Sequence, residues 1–175
     1  MEEFHDGGFD LSIIRRSMRI EEIKFRGEGV PAGQSGRIKA ALLTFHNLET
    51  MAVHLYRCQL TKAFTELNRQ MLAAMCNEMT HVQDFQVKLY EYGWRPSRLQ
   101  WVFWLVGLVM GLGSRLGGAH SILKAARWAE IRAVRHYNEL LQSVDWDEET
   151  RRVIEKDRFD EIGHVKRWED LLKSV

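Results

Sequence analysis

Two stretches of sequence decide the fold, and each carries a glutamate and a histidine three positions apart. The first is Asn77-Glu78-Met79-Thr80-His81-Val82-Gln83-Asp84-Phe85, and the second is Asp160-Glu161-Ile162-Gly163-His164-Val165-Lys166-Arg167-Trp168. Both read [N/D]-E-x-x-H-x-x-x-[F/W]. Because residues three apart share a face of an α-helix, each stretch points one carboxylate and one imidazole in the same direction.

A second pair of matching segments precedes these two stretches. Residues 49–56 and 130–137 both read E-x-x-A-V-x-x-Y. The first glutamates of this pair lie 81 residues apart, and the glutamates of the E-x-x-H motifs lie 83 residues apart, in the same order along the chain. Two matches at nearly the same offset indicate two related helical hairpins packed into one bundle, with the segment between them as a crossover.

Hydrophobic periodicity predicts an all-α chain of five helices. Apolar residues recur at three-to-four spacing, no window alternates as a strand would, and the chain has only two prolines. The helices are expected at residues 38–62, 66–92, 97–112, 119–143 and 145–172, the last opened by a capping box at Asp145-x-x-Glu148. Residues 1–36 are expected to be peripheral, with a loop through the glycines up to Gly36, and residues 37–175 to form one domain.

The two pairs of segments together predict a metal site. One glutamate from each of two helices and one E-x-x-H motif from each of two others is the ligand pattern of di-metal sites in four-helix bundles. Four carboxylates and two imidazoles suit iron, with manganese as the alternative, better than structural zinc. Solvated surface pairs are the other interpretation, but the apolar flanks of these motifs disfavour it. The six candidate ligands are Glu49, Glu78, His81, Glu130, Glu161 and His164.

Three further side chains are expected near this site. Tyr56 and Tyr137 lie two helical turns beyond their glutamates, so they are expected either to border the metal ions or to pack in the core. His136 is a candidate relay for protons or electrons, and its alternative is a buried histidine with its hydrogen bonds satisfied.

Two polar residues are expected to orient the histidines. A metal-bound histidine usually donates its second N–H to a carboxylate or carbonyl group. We therefore expect Asp160 to orient His81 on the neighbouring helix, and Asn77 to do the same for His164.

Residues 99–114 form a stretch without a single charge, with Trp101 and Trp104 near its start. A helix of this length spans about 24 Å, short of the roughly 30 Å hydrocarbon core of a bilayer, so crossing would need a thinned membrane. A helix that is apolar all round must be covered. We expect peripheral membrane contact through residues 95–116, or cover by a second subunit in a homo-oligomer, in preference to burial within the chain. The spacing Gly107-x-x-x-Gly111 would allow close packing against another helix.

The formal net charge of +1 hides an uneven distribution of charge. The near-zero net charge of the whole chain argues against a nucleic-acid partner. Residues 92–129, however, contain no Asp or Glu and five Lys or Arg, so a basic, apolar docking segment separates two acidic hairpins. Two cysteines, Cys58 and Cys76, form no disulfide framework and indicate a reducing compartment, so we expect the cytoplasmic side of a membrane.

Over roughly residues 40–170 the chain resembles the demethoxyubiquinone hydroxylase family of ubiquinone biosynthesis. The resemblance rests on the two E-x-x-H motifs, on Glu130 followed by His136-Tyr137, and on Arg95-Pro96-Ser97 before the uncharged stretch. It implies a ferritin-like four-helix bundle holding two iron ions. Within that bundle it implies that Glu78 and Glu161 bridge the ions, and that His136 and Tyr137 act as redox-relay residues. The two coordination sites are then completed by Glu49 with His81 and by Glu130 with His164.

The same resemblance implies an enzyme, a di-iron monooxygenase that uses O2 to hydroxylate a hydrophobic, quinone-like ring. We expect its pocket to open toward the third helix. One departure concerns the family pattern His-Ala-Gly-Glu-x-Gly-Ala, because this chain has the larger Leu48 and Met51 where the glycines stand. Two other functions fit the same ligands, namely a ferritin-like iron-oxidising or peroxide-reducing protein and a non-catalytic, metal-binding membrane adaptor.

Overall fold

The computed structural model describes residues 18–27 and 30–174 of the 175-residue chain. Over these residues it contains five α-helices, a short 3-10 helix at Ile20–Glu22 and no β-strand. The all-α prediction is confirmed, whereas residues 1–17 of the predicted peripheral segment lie outside the described part. The helices are α1 Ala32–Gln59, α2 Glu66–Glu91, α3 Gln100–Leu116, α4 Gly118–Ser143 and α5 Glu148–Leu172.

The first helix begins earlier than the sequence predicted. Gly33 and Gly36 lie in its first turns, so the expected loop through Gly36 is wrong. The backbone carbonyl of Pro31 accepts hydrogen bonds from the N–H groups of Gln34 and Ser35 at 2.8 and 3.1 Å. Proline suits the start of a helix because its φ is already fixed and it has no N–H to leave unpaired. The helix therefore begins after Pro31 in spite of the low helix propensity of Gly33 and Gly36.

The last helix begins later than predicted. Its N-cap is Asp147, whose carboxylate accepts a hydrogen bond from the backbone N–H of Thr150 at 3.0 Å. The expected cap at Asp145 is wrong, because the Asp145 carboxylate instead accepts a hydrogen bond from the side chain of Gln34 at 3.1 Å. A contact with a distant part of the chain, which local sequence does not reveal, thus displaces the cap by two residues.

Helix α3 crosses α1 at very close range. A Cβ atom added to Gly107 would lie 2.2 Å from the carbonyl oxygen of Met51, and one added to Gly111 would lie 2.6 Å from that of Leu55. Only glycine permits this approach of two backbones, which confirms the close packing expected from the Gly107-x-x-x-Gly111 spacing. The helix ends at Leu116, four residues beyond the predicted end.

The outer face of α3 carries exposed apolar side chains. Trp101 and Val109 are 61% and 60% exposed. The remaining exposed large apolar residues of this region are Leu99, Val102, Trp104, Leu105, Val106, Leu112 and Leu116. In the described part of the chain, no helix combines the length and apolar character needed to cross a membrane.

Helices α1, α2, α4 and α5 form a four-helix bundle of two hairpins, in which α1 packs on α2 and α4 packs on α5. One apolar cluster of the core includes Phe45, Phe85 and Tyr137. The other includes Tyr56 and Trp168. In each helix the candidate ligands lie between residues of the two clusters, so the polar groups occupy the middle of the bundle. This is a ferritin-like helical bundle, as the sequence predicted.

Candidate metal centre

The six predicted ligands lie on the four helices of the bundle and point into its centre. All of them are buried, and none is more than 3% exposed. Helix α1 supplies Glu49 and α4 supplies Glu130. Helices α2 and α5 each supply one E-x-x-H pair, as the helical spacing of these motifs requires.

The six residues form two overlapping groups. In each group, one nitrogen or carboxylate oxygen per residue lies within 4.8 Å of the others. Glu78 and Glu161 belong to both groups, so two carboxylates stand between two potential ion positions. The first group adds Glu49 and His81 to this shared pair, and the second adds Glu130 and His164.

Each histidine turns its Nδ1 atom toward the carboxylates. The Nδ1 of His81 lies 3.0 Å from a Glu161 oxygen, 3.5 Å from a Glu78 oxygen and 3.6 Å from a Glu49 oxygen. The Nδ1 of His164 lies 2.9 Å from a Glu78 oxygen and 3.7 Å from a Glu161 oxygen. The Nδ1 of His164 also lies 3.5 Å from a Glu130 oxygen. Both imidazoles therefore face the oxygens they would share around a cation.

The centre of the cluster has unsatisfied polar atoms. Among the described residues, both oxygens of Glu78 and of Glu161, and the Nδ1 atoms of His81 and His164, have no hydrogen-bond partner. Buried carboxylates without partners are costly, and cations are the groups that compensate them. The donor set therefore fits metal ions, and it contains no thiolate because neither cysteine belongs to it.

Burial and mutual repulsion shift the pKa values of the carboxyl groups. Burial raises the pKa of Glu49 to about 8, with the neighbouring Glu78 charge adding to the shift. Burial followed by the charge of Glu161 raises the pKa of Glu130 well above its usual range. For Glu78 burial acts in the same direction, but the two histidines beside it outweigh burial and lower its pKa. Burial thus favours the neutral form of Glu49 and Glu130, whereas the neighbouring histidines favour the ionised form of Glu78.

Each tyrosine holds a glutamate of the opposite hairpin. The hydroxyl of Tyr137 donates to a Glu49 oxygen at 2.7 Å, and the hydroxyl of Tyr56 donates to a Glu130 oxygen. The indole N–H of Trp168 donates to the Tyr56 oxygen at 3.0 Å. From the sequence we expected each tyrosine either to border the metal site or to pack in the core. Both tyrosines do both, because their hydroxyls contact the cluster while their rings pack in the apolar core.

Asp160 contacts His81 as the sequence predicted, whereas Asn77 does not have its predicted partner. The Nε2 atom of His81 lies 3.2 Å from an Asp160 oxygen. The side-chain amide of Asn77 donates to the same Asp160 oxygen at 3.5 Å, so its assignment to His164 is wrong. Adjacent residues of a helix point about 100° apart, so Asn77 is turned away from the centre that Glu78 faces.

The sequence reasoning missed Asp157, which lies behind His81. This carboxylate is fully buried, one of its oxygens is 3.8 Å from the His81 Nε2 atom, and burial raises its pKa to about 6. Lys156 Nζ lies 2.8 Å from Asp157 and 3.1 Å from Asp84. Helical spacing was the available signal, because Asp157 precedes Glu161 by four residues and shares its face.

A small apolar cavity lies beside the cluster, between α1 and α4. Its volume is about 170 Å³, and its lining includes Glu49, Glu130 and His136. The side chain of His136 is 40% exposed, so the expectation of a buried histidine is wrong and a place at the rim of the cavity is found instead. We expected a pocket that opens toward the third helix, but no described α3 residue lines this one.

A helical bundle whose centre is built from two E-x-x-H motifs and two further glutamates belongs to the class of carboxylate–histidine metal proteins. The chain is a member of the ubiquinone biosynthesis protein COQ7 family, whose model matches residues 36–169. This is the demethoxyubiquinone hydroxylase family, which confirms the resemblance seen in the sequence. Its members are metal-dependent hydroxylases of ubiquinone synthesis. No curated protein matches the chain.

Proposed function

We propose that the chain is a di-iron, O2-dependent monooxygenase that hydroxylates a membrane-soluble, quinone-type aromatic ring. The observation that carries this proposal is the apolar cavity beside the carboxylate–histidine cluster, since Glu49 and Glu130 belong to both. Membership in a family of metal-dependent hydroxylases supports the reaction class. Iron bound in the cluster would bind O2 and supply electrons to it, and manganese is the alternative metal.

The cluster divides into two binding positions. Glu49 with His81 would hold one ion, and Glu130 with His164 would hold the other, because each pair belongs to only one of the two overlapping groups. Glu78 and Glu161 would serve both ions. The four carboxylates nearly balance the charge of two divalent cations. This balance offsets the desolvation penalty of burying the ions.

The residues around the ligands would control their orientation and the movement of protons. Tyr137 and Tyr56 each occupy one oxygen of their glutamate partners, which fixes the direction in which the second oxygen points. His136 lies between the cavity and solvent, and we assign it to proton exchange with the reacting ring. We assign Tyr137, buried beside Glu49, to the redox relay.

Hydroxylation converts a ring C–H bond into C–OH with one atom of O2. The second oxygen atom leaves as water, which requires two electrons and two protons for each ring. The protons can enter past His136, and the electrons come from an external two-electron reductant. The apolar walls of the cavity exclude bulk water from the ring, which limits loss of the electrons to side reactions.

The test is a single turnover with isotopically labelled oxygen. The protein is loaded anaerobically with Fe(II), mixed with a short-chain quinol, exposed to 18O2 and analysed by mass spectrometry. We expect one labelled oxygen atom in the ring product, and none with the Glu78→Ala variant, which lacks a carboxylate shared by both groups. Ferric iron without product would favour an iron-oxidising, ferritin-like protein, and neither product nor oxidation would favour a non-catalytic adaptor. Both outcomes contradict the proposal.

We also propose that the outer face of α3 rests on a membrane, from which a hydrophobic ring would reach the protein. The exposed side chains of this face are apolar and include two tryptophans. Cationic side chains accompany them without any Asp or Glu over residues 92–129, which favours the anionic lipids of a cytoplasmic leaflet.

Flotation with anionic liposomes tests the membrane proposal. We expect the protein to float with the vesicles, and a Trp101→Ser/Val109→Ser variant to float much less. Phe159→Ser is the control, because Phe159 is 73% exposed but lies on α5. A protein that stays in the soluble fraction, and forms a homo-oligomer that the α3 variant dissociates, would show that a second subunit covers this face.

A further inference from the structure

The cavity beside the cluster has a buried end and an exposed rim. Glu49 and Glu130, at its buried end, are 2% and 1% exposed. Trp128 lies at the rim, where it is 46% exposed and packs under the guanidinium of Arg132 at 4.3 Å. A ligand that enters from the rim therefore meets two carboxylates of the candidate metal centre at the far end.

The volume of the cavity limits the size of this ligand. A cavity of about 150 Å³ is known to hold one benzene molecule, whereas pockets for larger ligands measure roughly 300–1,000 Å³. The volume here, about 170 Å³, matches a single aromatic ring. A ring with several large substituents, or a ring together with a hydrocarbon tail, does not fit inside.

Two side chains of α1 reduce the space next to Glu49. Leu48 precedes this glutamate and Met51 follows it by two residues, and both line the cavity. They stand at the two positions where the sequence departs from the glycines of the family pattern. On the opposite wall, the residues next to Glu130 include the small Ala129 and Ala133, while the larger Trp128 and Arg132 are exposed at the rim.

We propose that Leu48 and Met51 are specificity-determining residues that restrict this cavity to one aromatic ring with a nearly unsubstituted leading edge. The ring edge that faces Glu49 and Glu130 carries hydrogen or small groups, while large substituents and any hydrocarbon tail stay outside the rim. This inference rests on the proposed function for its reaction, but the size restriction itself is a property of binding and can be measured without turnover.

The experiment compares two fluorinated rings by 19F NMR, using the full-length protein loaded with Fe(II) under anaerobic conditions. Fluorobenzene is the small probe, and 4-fluoro-1,2-dimethoxybenzene is the large one. Each is titrated against the unchanged protein and against Leu48→Ala, Met51→Ala and the double variant. Leu72→Ala and Met79→Ala are the matched controls, because they remove the same atoms from partly exposed positions on α2, outside the cavity. Circular dichroism checks that each variant is folded.

We expect the unchanged protein to bind fluorobenzene at least tenfold more tightly than the dimethoxy ring. The ratio of the affinity for fluorobenzene to the affinity for the dimethoxy ring should fall in each cavity variant and fall most in the double variant. The two controls should leave this ratio unchanged. Equal binding of both rings, failure to bind fluorobenzene, or a ratio that folded cavity variants leave unchanged would overturn the inference. Size-selective binding without any hydroxylated product would instead overturn the proposed function and leave the size restriction standing.

Discussion

Among single residues, Asp160 shows most directly how one side chain presents a ligand. Its carboxylate lies 3.2 Å from the Nε2 atom of His81, and this leaves the Nδ1 atom of the same ring facing Glu78 and Glu161. The contact with His81 also lowers the pKa of Asp160, although burial acts against it. A charged acceptor on the far nitrogen makes the near nitrogen a stronger metal ligand.

Replacing Asp160 by asparagine should therefore weaken metal binding. The Asp160→Asn variant keeps the shape of the side chain but loses its charge, and we expect metal affinity to fall about 10- to 100-fold. Competition between the protein and a chelator for Fe(II) under anaerobic conditions measures this change. Asp170→Asn is the control, because Asp170 lies on the same helix but is exposed and pairs with Lys173. Equal affinities for the two variants would show that Asp160 does not support the site.

The clustering of the six candidate ligands could be predicted from the sequence because its signal is local. A glutamate and a histidine three apart must share a helix face, and the duplication of the motif fixes which helices face each other. The neighbours of the ligands depend on the rotation of one helix against another. For this reason Asn77 was assigned the wrong partner and Asp157 was missed, although both lie within one turn of a predicted ligand.

At the scale of helices, the contact between α1 and α3 places the apolar face beside the bundle. This contact depends on the glycines of α3, whose missing side chains make room for the backbone of α1. The spacing of the glycines was visible in the sequence. The sequence did not show that α1 is the helix that packs against these glycines, because this depends on how the connecting segments position the two helices.

A methyl group at Gly107 should therefore destabilise the protein. A Cβ atom there would lie 2.2 Å from the Met51 carbonyl oxygen, so Gly107→Ala forces the two helices apart and should lower the free energy of unfolding by about 1–3 kcal/mol. Urea denaturation measures this change in the free energy of unfolding. Gly113→Ala is the matched control, since a Cβ there meets nothing within 4 Å and should leave stability unchanged or raise it by up to about 1 kcal/mol. Equal effects of the two substitutions would contradict this account of α3 packing.

At the scale of the whole molecule, Arg26 ties the segment before α1 to the ends of two other helices. Its guanidinium lies 3.0 Å from Glu91 at the end of α2 and 2.8 Å from Asp147 before α5, and it also pairs with Glu149. The Glu91 side chain is only 1% exposed. The segment expected to be peripheral thus contributes a charged contact to the bundle, which hydrophobic periodicity does not reveal.

Removal of this arginine should cost stability in a pH-dependent way. Arg26→Ala leaves a buried carboxylate with fewer partners, and we expect the free energy of unfolding at neutral pH to fall by about 1–3 kcal/mol. Lys24 and then Arg26 lower the pKa of Glu149 from 4.5 to about 2. Because the pKa of Glu149 is lower in the folded than in the unfolded state, the ion pairs of Glu149 stabilise the fold fully above about pH 4.5. Their contribution is lost as the pH falls toward about 2.

Urea denaturation at a series of pH values measures this dependence. The difference in stability between the unchanged protein and Arg26→Ala should shrink as the pH falls from about 5 toward 2. Lys173→Ala is the control, because the ion pair that it removes, with Asp170, is exposed and lies near the end of α5. A difference that stays constant with pH would show that Arg26 stabilises the fold by packing alone.

If two metal ions occupy the middle of this bundle, anaerobic titration with Fe(II) will count them. We predict saturation at two ions per chain, since two overlapping groups of ligands share Glu78 and Glu161. Glu161→Ala removes a carboxylate from both groups and should abolish most of this binding. Glu139→Ala should leave the binding intact, because the Glu139 side chain is 52% exposed and belongs to neither group. Saturation at one ion or none, or full loading of Glu161→Ala, would contradict the claim.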